Sequence, residues 1–335
     1  MTWFKDLTGF PEENPDQVRS NLLLEDSTLI SKANGRELIC GQLETPSLAD
    51  LRERLPNVKS GTCKITVREL VVDIQALHAD PTNAGALFQV ASQFNLLEMV
   101  SPKVTPEQGV GIYENDFTQG PVCAIAAGAG TIYRNYFAPV NGRIGQTADN
   151  QIDCLADIGK ALGNTDGRLW QMCNGYALPS REGLFELSNR LQSLDEDERD
   201  ELCQLLRIGL QWDTQVTLND SKHLVSQAYC SALPVRYSSF SMELWQPFAR
   251  LVLEALYEAV ICAAILNSQS TGNNNVFLTL IGGGAFGNEI DWIIDSIQRV
   301  LVLYQGYNLN VVMVSYGRSK PHVRQLVSEF ESLRV

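Results

Sequence analysis

This sequence predicts an α/β fold with a mostly parallel sheet covered on both faces, and three observations carry that expectation. Short apolar runs alternate with helical patterns from Gly85 onward, the order that builds strand–helix–strand units. The runs at 86–92 and 276–281 are apolar almost throughout, as strands buried on both faces are. The stretch from Asn275, NVFLTLIGGGAFGNEIDWIIDSIQRVL, sets four glycines within six positions between a strand and a helix.

The remaining elements follow in order. Runs at 28–31 and 37–40 flank Asn34-Gly35, a pair suited to a type I′ hairpin turn. A short helix starts at 46–51, and a strand of mixed alternation spans 64–72. The strand at 86–92 ends in a polar loop, 93–119. Gly120-Pro121 then opens a helix with small residues at Ala124, Ala127, Gly128 and Thr131, which permit close packing. The stretch 139–175, rich in Asn, Gly and Asp, matches neither period. Ser193 to Glu196 reads as a capping box before a helix running to about Leu210. A strand is expected at 223–230, a core helix after Pro247, a helix at 289–303 and a last strand at 309–315. The core helix, 248–266, carries Arg250, Glu254 and Glu258, which suits a buried helix better than a membrane span.

Composition narrows the function. The chain has 335 residues, 44% hydrophobic and 19% charged, enough for one large domain with insertions or for two. A formal net charge of −13 argues against nucleic acid and anionic membranes as partners, since both require a basic footprint. The eight cysteines show no CxxC and no short Cys/His spacing, so neither a zinc site nor a disulfide framework is expected. The first turns are acidic and polar, unlike a secretory leader, and the expected setting is a reducing, cytoplasmic one. His78, His223 and His322 are widely separated, so no metal is expected.

The glycine stretch contains G-x-G-x-x-G, formed by Gly282, Gly284 and Gly287. A strand–glycine–helix unit aims backbone N–H groups at one spot and removes the Cβ atoms that would keep a phosphate away. A tight turn without a ligand is the plain alternative, though four glycines exceed what a turn requires. A nicotinamide-dependent oxidoreductase would need an acidic residue at the end of the next strand for the ribose. Here that strand runs into Ser315-Tyr316-Gly317, with no acid.

The order of these parts resembles the macrodomain superfamily, especially its poly(ADP-ribose) glycohydrolase-like and effector-type ADP-ribosyl hydrolase branches. The pieces that carry the resemblance are FQVASQFNLLE, VTPEQGVGIYENDFTQGP, LTLIGGGAFGN and VVMVSYG, spread from about Ile65 to the C-terminus. It implies a three-layer α/β/α mixed sheet, and it leaves out residues 1–62, which their own pattern marks as an accessory hairpin and helix layer. The ADP-ribose-binding domain would be 63–335, with a helical insertion near 140–220. By the same resemblance Gly282, Gly283, Gly284, Ala285, Phe286, Gly287 and Asn288 lie over the ligand's diphosphate. An aromatic residue lies near the distal ribose, Tyr316 lines the ligand, Asp73 contacts the adenine amine, and Asn95 or Gln93 hydrogen-bonds the distal ribose. Two features depart from the pattern. The first loop has only Gly109 and Gly111 in place of three consecutive glycines, and the paired glutamates of the polymer-cleaving enzymes are missing. Both favour a single ADP-ribosyl unit over a polymer as substrate.

Glu98, Glu107, Glu114 and Asp116 lie between a core strand and a helix start, where ligands of open α/β sheets bind. Breaking a glycosidic bond at the ribose builds positive charge at the anomeric carbon, which a carboxylate stabilises while it orients a water. Carboxylates also suit an arginine leaving group. Asp116 and Glu107 are the first choices, with Glu98 and Glu114 behind them. The expected protein is thus an ADP-ribosyl hydrolase acting on modified side chains without a cofactor. A non-catalytic reader of ADP-ribose is the alternative.

Overall fold

The computed structural model describes residues 2–57 and 64–332. A seven-stranded sheet forms its centre. In chain order the strands are β1 (Gln42–Glu44), β2 (Thr66–Val71), β3 (Leu87–Ala91), β4 (Gly209–Gln215), β5 (Leu224–Cys230), β6 (Asn275–Leu278) and β7 (Asn310–Ser315). They lie side by side as β1-β4-β5-β3-β6-β7-β2. The run from β5 to β2 is parallel, and β4 and β1 extend it antiparallel at one edge, so the sheet is mixed as expected. Cys230 stands opposite Ala91, and Phe277 opposite Phe88. The loops that leave β5, β3 and β6 therefore emerge side by side.

Helices cover both faces. Helix Met242–Thr271 packs on β5, β3 and β6 and is buried along most of its length. Each Leu or Ile fully buried there contributes roughly 1.5–3 kcal/mol. On the other face, helices Ile74–Ala79, Gln119–Ala126 and Gly128–Tyr136 meet Phe88, Gln227, Tyr229 and Gln211. The 62/63 border of the expected domains lies outside the described residues. β1 and helix Leu48–Arg54 belong to the central sheet and its core. Phe4, Leu7, Phe10, Val18, Leu29 and Cys40 instead build a second core with Leu97, Met99, Val110, Tyr113 and Tyr136.

Several elements differ from expectation. The core helix starts at Met242 and takes Pro247 inside it, because the packing of a buried helix outweighs one lost backbone hydrogen bond. The capping box is Asp195 with Glu198, and its helix stops at Cys203. Gly209–Gln215, read as helix end and insertion, is sheet strand β4. Strands Thr28–Ser31 and Glu37–Ile39 do pair, but only Gly35 of the Asn34-Gly35 pair has positive φ, and their turn is longer than two residues. Two-residue turns with positive φ at both positions occur instead at Asn141-Gly142, between Pro139–Val140 and Arg143–Ile144, and at Asn174-Gly175, between Trp170–Cys173 and Tyr176–Pro179. Among the described residues no helix is long and apolar enough to cross a membrane.

Candidate active site

A cavity of about 270 Å³ opens where the loops after β3, β5 and β6 meet. Glu98 and Asp116 of the acidic loop line it together with Gly282, Gly284, Ala285 and Phe286 of the glycine loop. Two segments that are about 170 residues apart in sequence thus share one wall-to-wall space, because β3 and β6 are neighbours in the sheet.

Glu98 is the most perturbed of the acids. It is 4% exposed, and neither carboxylate oxygen has a hydrogen-bond partner among the described residues. Burial pushes its pKa up to about 8; the Arg134 charge opposes this and the Asp116 charge adds to it. Its backbone N–H donates to the Tyr113 hydroxyl at 3.0 Å, which fixes the start of its side chain. Arg134 is itself fully buried, donating to the Leu96 carbonyl and to Thr131 Oγ1, with its guanidinium 3.5 Å above the Tyr229 ring. A carboxyl group placed so is held in its neutral form near pH 7 and has a proton to give.

Asp116 closes the 3-10 turn Gly111–Asn115, and its Oδ1 accepts the Thr118 N–H at 2.8 Å. The other two acids are occupied elsewhere. Glu107 Oε1 accepts from the Ala148 N–H at 2.8 Å, and Glu114 Oε2 accepts from the Trp3 N–H at 3.1 Å; neither lines the cavity. Gln93 does line it: Oε1 accepts the Met99 N–H at 2.8 Å, leaving Nε2 without a protein partner among the described residues. Asn95 does not, since its amide is consumed by Leu97 N–H and Gln151 Oε1.

The glycine loop is built to stay open. Gly282 has φ of +84°, and a Cβ there would come within 2.6 Å of Ala232 Cβ, whereas a Cβ on Gly284 would meet nothing within 4 Å. Asn288 closes the loop, its N–H and Nδ2 both reaching the Gly282 carbonyl and Nδ2 also reaching that of Leu233. The N–H groups of Gly284, Ala285 and Phe286 have no protein acceptor among the described residues. Gly283 packs on Ile293, and Gly287, with φ of +72°, lies against Arg236. Arg236 in turn donates its N–H to the Phe286 carbonyl. Asp73 caps helix Ile74–Ala79 through the Gln75 N–H, and Tyr316 is 77% exposed; both stand on the same sheet edge but outside the enclosed cavity.

Two aromatic residues of the wall escaped the sequence reading. Tyr176 and Tyr237 pack with Phe286 as a triad, ring centroids 5.3 to 5.8 Å apart. Tyr176 arrives on the hairpin turned by Asn174-Gly175, which is anchored by Phe94 N–H to the Gly175 carbonyl and by the Tyr176 hydroxyl to the Met99 carbonyl. Its signal was that Asn-Gly pair. Tyr237 follows Pro234 in an irregular stretch and has no comparable signal. Among the described residues no group of three or more His, Cys, Asp or Glu is placed to hold a metal.

No family model matches the chain, and no curated protein matches it. Among solved structures it is similar to the poly(ADP-ribose) glycohydrolase of Deinococcus radiodurans in complex with ADP-ribose. That match has 14% identity and a TM-score of 0.47, covering 87% of this chain and 94% of the other. It is also similar to the poly(ADP-ribose) glycohydrolase of Thermomonospora curvata, at 12% identity and a TM-score of 0.47, covering 94% of this chain and 97% of that one. A further match is the Thermomonospora curvata enzyme bound to the inhibitor ADP-HPD, at 11% identity and a TM-score of 0.46, over 94% and 97% of the two chains.

Proposed function

We propose that this protein hydrolyses the glycosidic bond between ADP-ribose and a modified protein side chain, with arginine as the preferred carrier residue. The observation that carries the reading is the pairing of Glu98 and Asp116 with the open amides of Gly284, Ala285 and Phe286 across one cavity. The amides suit the diphosphate, with the Arg236 cation beside them. Gln93 Nε2 suits a ribose hydroxyl, and Phe286 packs beside the sugar.

In this mechanism neutral Glu98 gives its proton to the leaving nitrogen or oxygen as the bond to the anomeric carbon breaks. Asp116 orients a water, whose oxygen bonds to that carbon and whose proton passes to Asp116. The positive charge that develops on the sugar is met by the two acids. Asp116 and Glu98 are therefore the catalytic pair, and Glu107 and Glu114 are structural. The expected partner is an ADP-ribosylated protein, and the expected setting is cytoplasmic.

The test is release of label from a protein carrying arginine-linked ADP-ribose, run beside calorimetry with free ADP-ribose. Binding with release that is lost in Asp116→Ala supports the reading. Binding without release in the parent protein points to a reader of the modification, and absence of binding ends both.

A further inference from the structure

The N-terminal segment lies outside the sequence stretches that carry the resemblance, yet it reaches into the acidic loop. Glu12 is mostly buried. Its Oε1 accepts from the Val110 N–H at 2.9 Å and the Tyr136 hydroxyl at 2.6 Å, and its Oε2 accepts from the Gly111 N–H at 2.6 Å. A Cβ on Gly109 or Gly111 would come to 2.5 or 2.6 Å from that carboxylate, and Gly109 has φ of +86° besides. The two glycines that stand in the first loop thus make room for a side chain of the same protein, which fills the turn of backbone N–H groups as an anion would. A second tie lies beside it: Trp3 donates its backbone N–H to Glu114 and its indole N–H to the Val110 carbonyl.

The 3-10 turn Gly111–Asn115 links these ties to the cavity. Its first amide sits on Glu12, its Tyr113 hydroxyl receives the Glu98 N–H, and its C-terminal neighbour is Asp116. Phe4, Leu7 and Phe10 pack in one core with Val110 and Tyr113 behind the same turn. We infer that Glu12 is a positioning residue: its carboxylate fastens the turn that sets both cavity acids, and the N-terminal layer is the frame that holds Glu12 in place. This rests on the proposed roles of Glu98 and Asp116, but the fastening itself is a separate claim.

Amide hydrogen exchange tests the fastening without any activity. In Glu12→Ala, the amides of Val110, Gly111 and Tyr113 should exchange at least on the order of tenfold faster, while those of β3 and β5 keep the parent rate. Added formate, small enough to enter the vacated space, should slow them again. Glu12→Gln keeps the shape but not the charge and should fall between. Tyr136→Phe removes a single donor and should move the rates least, which covers the case in which Glu12→Ala fails to fold. Unchanged exchange at Val110 and Gly111 in Glu12→Gln and Tyr136→Phe overturns the inference. On the hydrolysis assay, Glu12→Ala should lose about tenfold or more in kcat with KM nearly unchanged, because misplaced catalytic groups cost rate more than binding. Formate should restore that loss. A loss that appears equally in KM and resists formate refutes the positioning role. An inactive parent protein would refute the proposed chemistry while leaving the exchange result to decide the fastening.

Discussion

The acidic loop and the glycine loop face each other across one cavity, yet they are held in opposite ways. The acidic loop is fastened from far away in sequence, by Glu12, Trp3 and Arg134, while both Glu98 carboxylate oxygens and Arg134 Nη1 stay without a hydrogen-bond partner among the described residues. The glycine loop is fastened by its own residues, Asn288 to Gly282 above all, and it keeps three backbone N–H groups free. One wall offers carboxyl groups; the other has kept three backbone donors and has the Arg236 guanidinium beside them. A sugar diphosphate needs both, donors at the phosphates and acids at the anomeric carbon.

The largest break in this contrast is Glu98→Gln. Removal of a positioned proton donor costs about 10²–10⁴ in kcat, read on the label-release assay. In the parent protein the rate should fall as pH rises through about 8, where Glu98 loses its proton, and the variant should lack that limb. The same change should raise stability. Because burial lifts the folded pKa of Glu98 above its ordinary value of 4.5, the folded state binds more protons than the unfolded one between there and about 8. Stability is then lost as pH rises through that window, so Glu98→Gln should melt at a higher temperature than the parent at pH 8. Equal melting at pH 8 would mean that Glu98 is not buried in solution.

The glycine loop gives an intermediate effect and sharpens the comparison. Gly282→Ala forces a side chain into a positive-φ position against Ala232 and should cost roughly 1–3 kcal/mol of stability in chemical denaturation. Gly284→Ala should leave stability nearly unchanged, yet weaken ADP-ribose about tenfold in calorimetry, since its methyl group enters the space kept for phosphate. Glu107→Ala should have the smallest effect, with kcat within about threefold of the parent, because its carboxylate serves the Ala148 N–H outside the cavity. A loss as large as that of Glu98→Gln would return Glu107 to the catalytic pair.

Much of the fold was legible because its signals are local. The strands β3, β5, β6 and β7 are apolar runs that any helix or strand period reveals, and the four-glycine stretch marks its own turn. The same locality misled at Asn34-Gly35, where the pair occurs without the two-residue turn, while Asn141-Gly142 and Asn174-Gly175 make that turn and went unread. β1 and β4 are short or polar and sit at the antiparallel edge, where pairing rather than pattern makes a strand. For the site, residue types were readable and their use was not. Four acids in one loop look alike in sequence; Glu98 is separated from Glu107 and Glu114 only by what closes around it.

By itself, then, the sequence determined an α/β sheet whose strand ends carry an acidic loop and a glycine loop, because hydrophobic period and glycine content act over a few residues. Tertiary structure alone decided which acid is desolvated, that Tyr176 and Tyr237 join the wall, and that Glu12 fills the Gly109–Gly111 turn. Those outcomes depend on burial and on contacts between segments a hundred residues or more apart, and no local pattern encodes the dielectric around a carboxyl group.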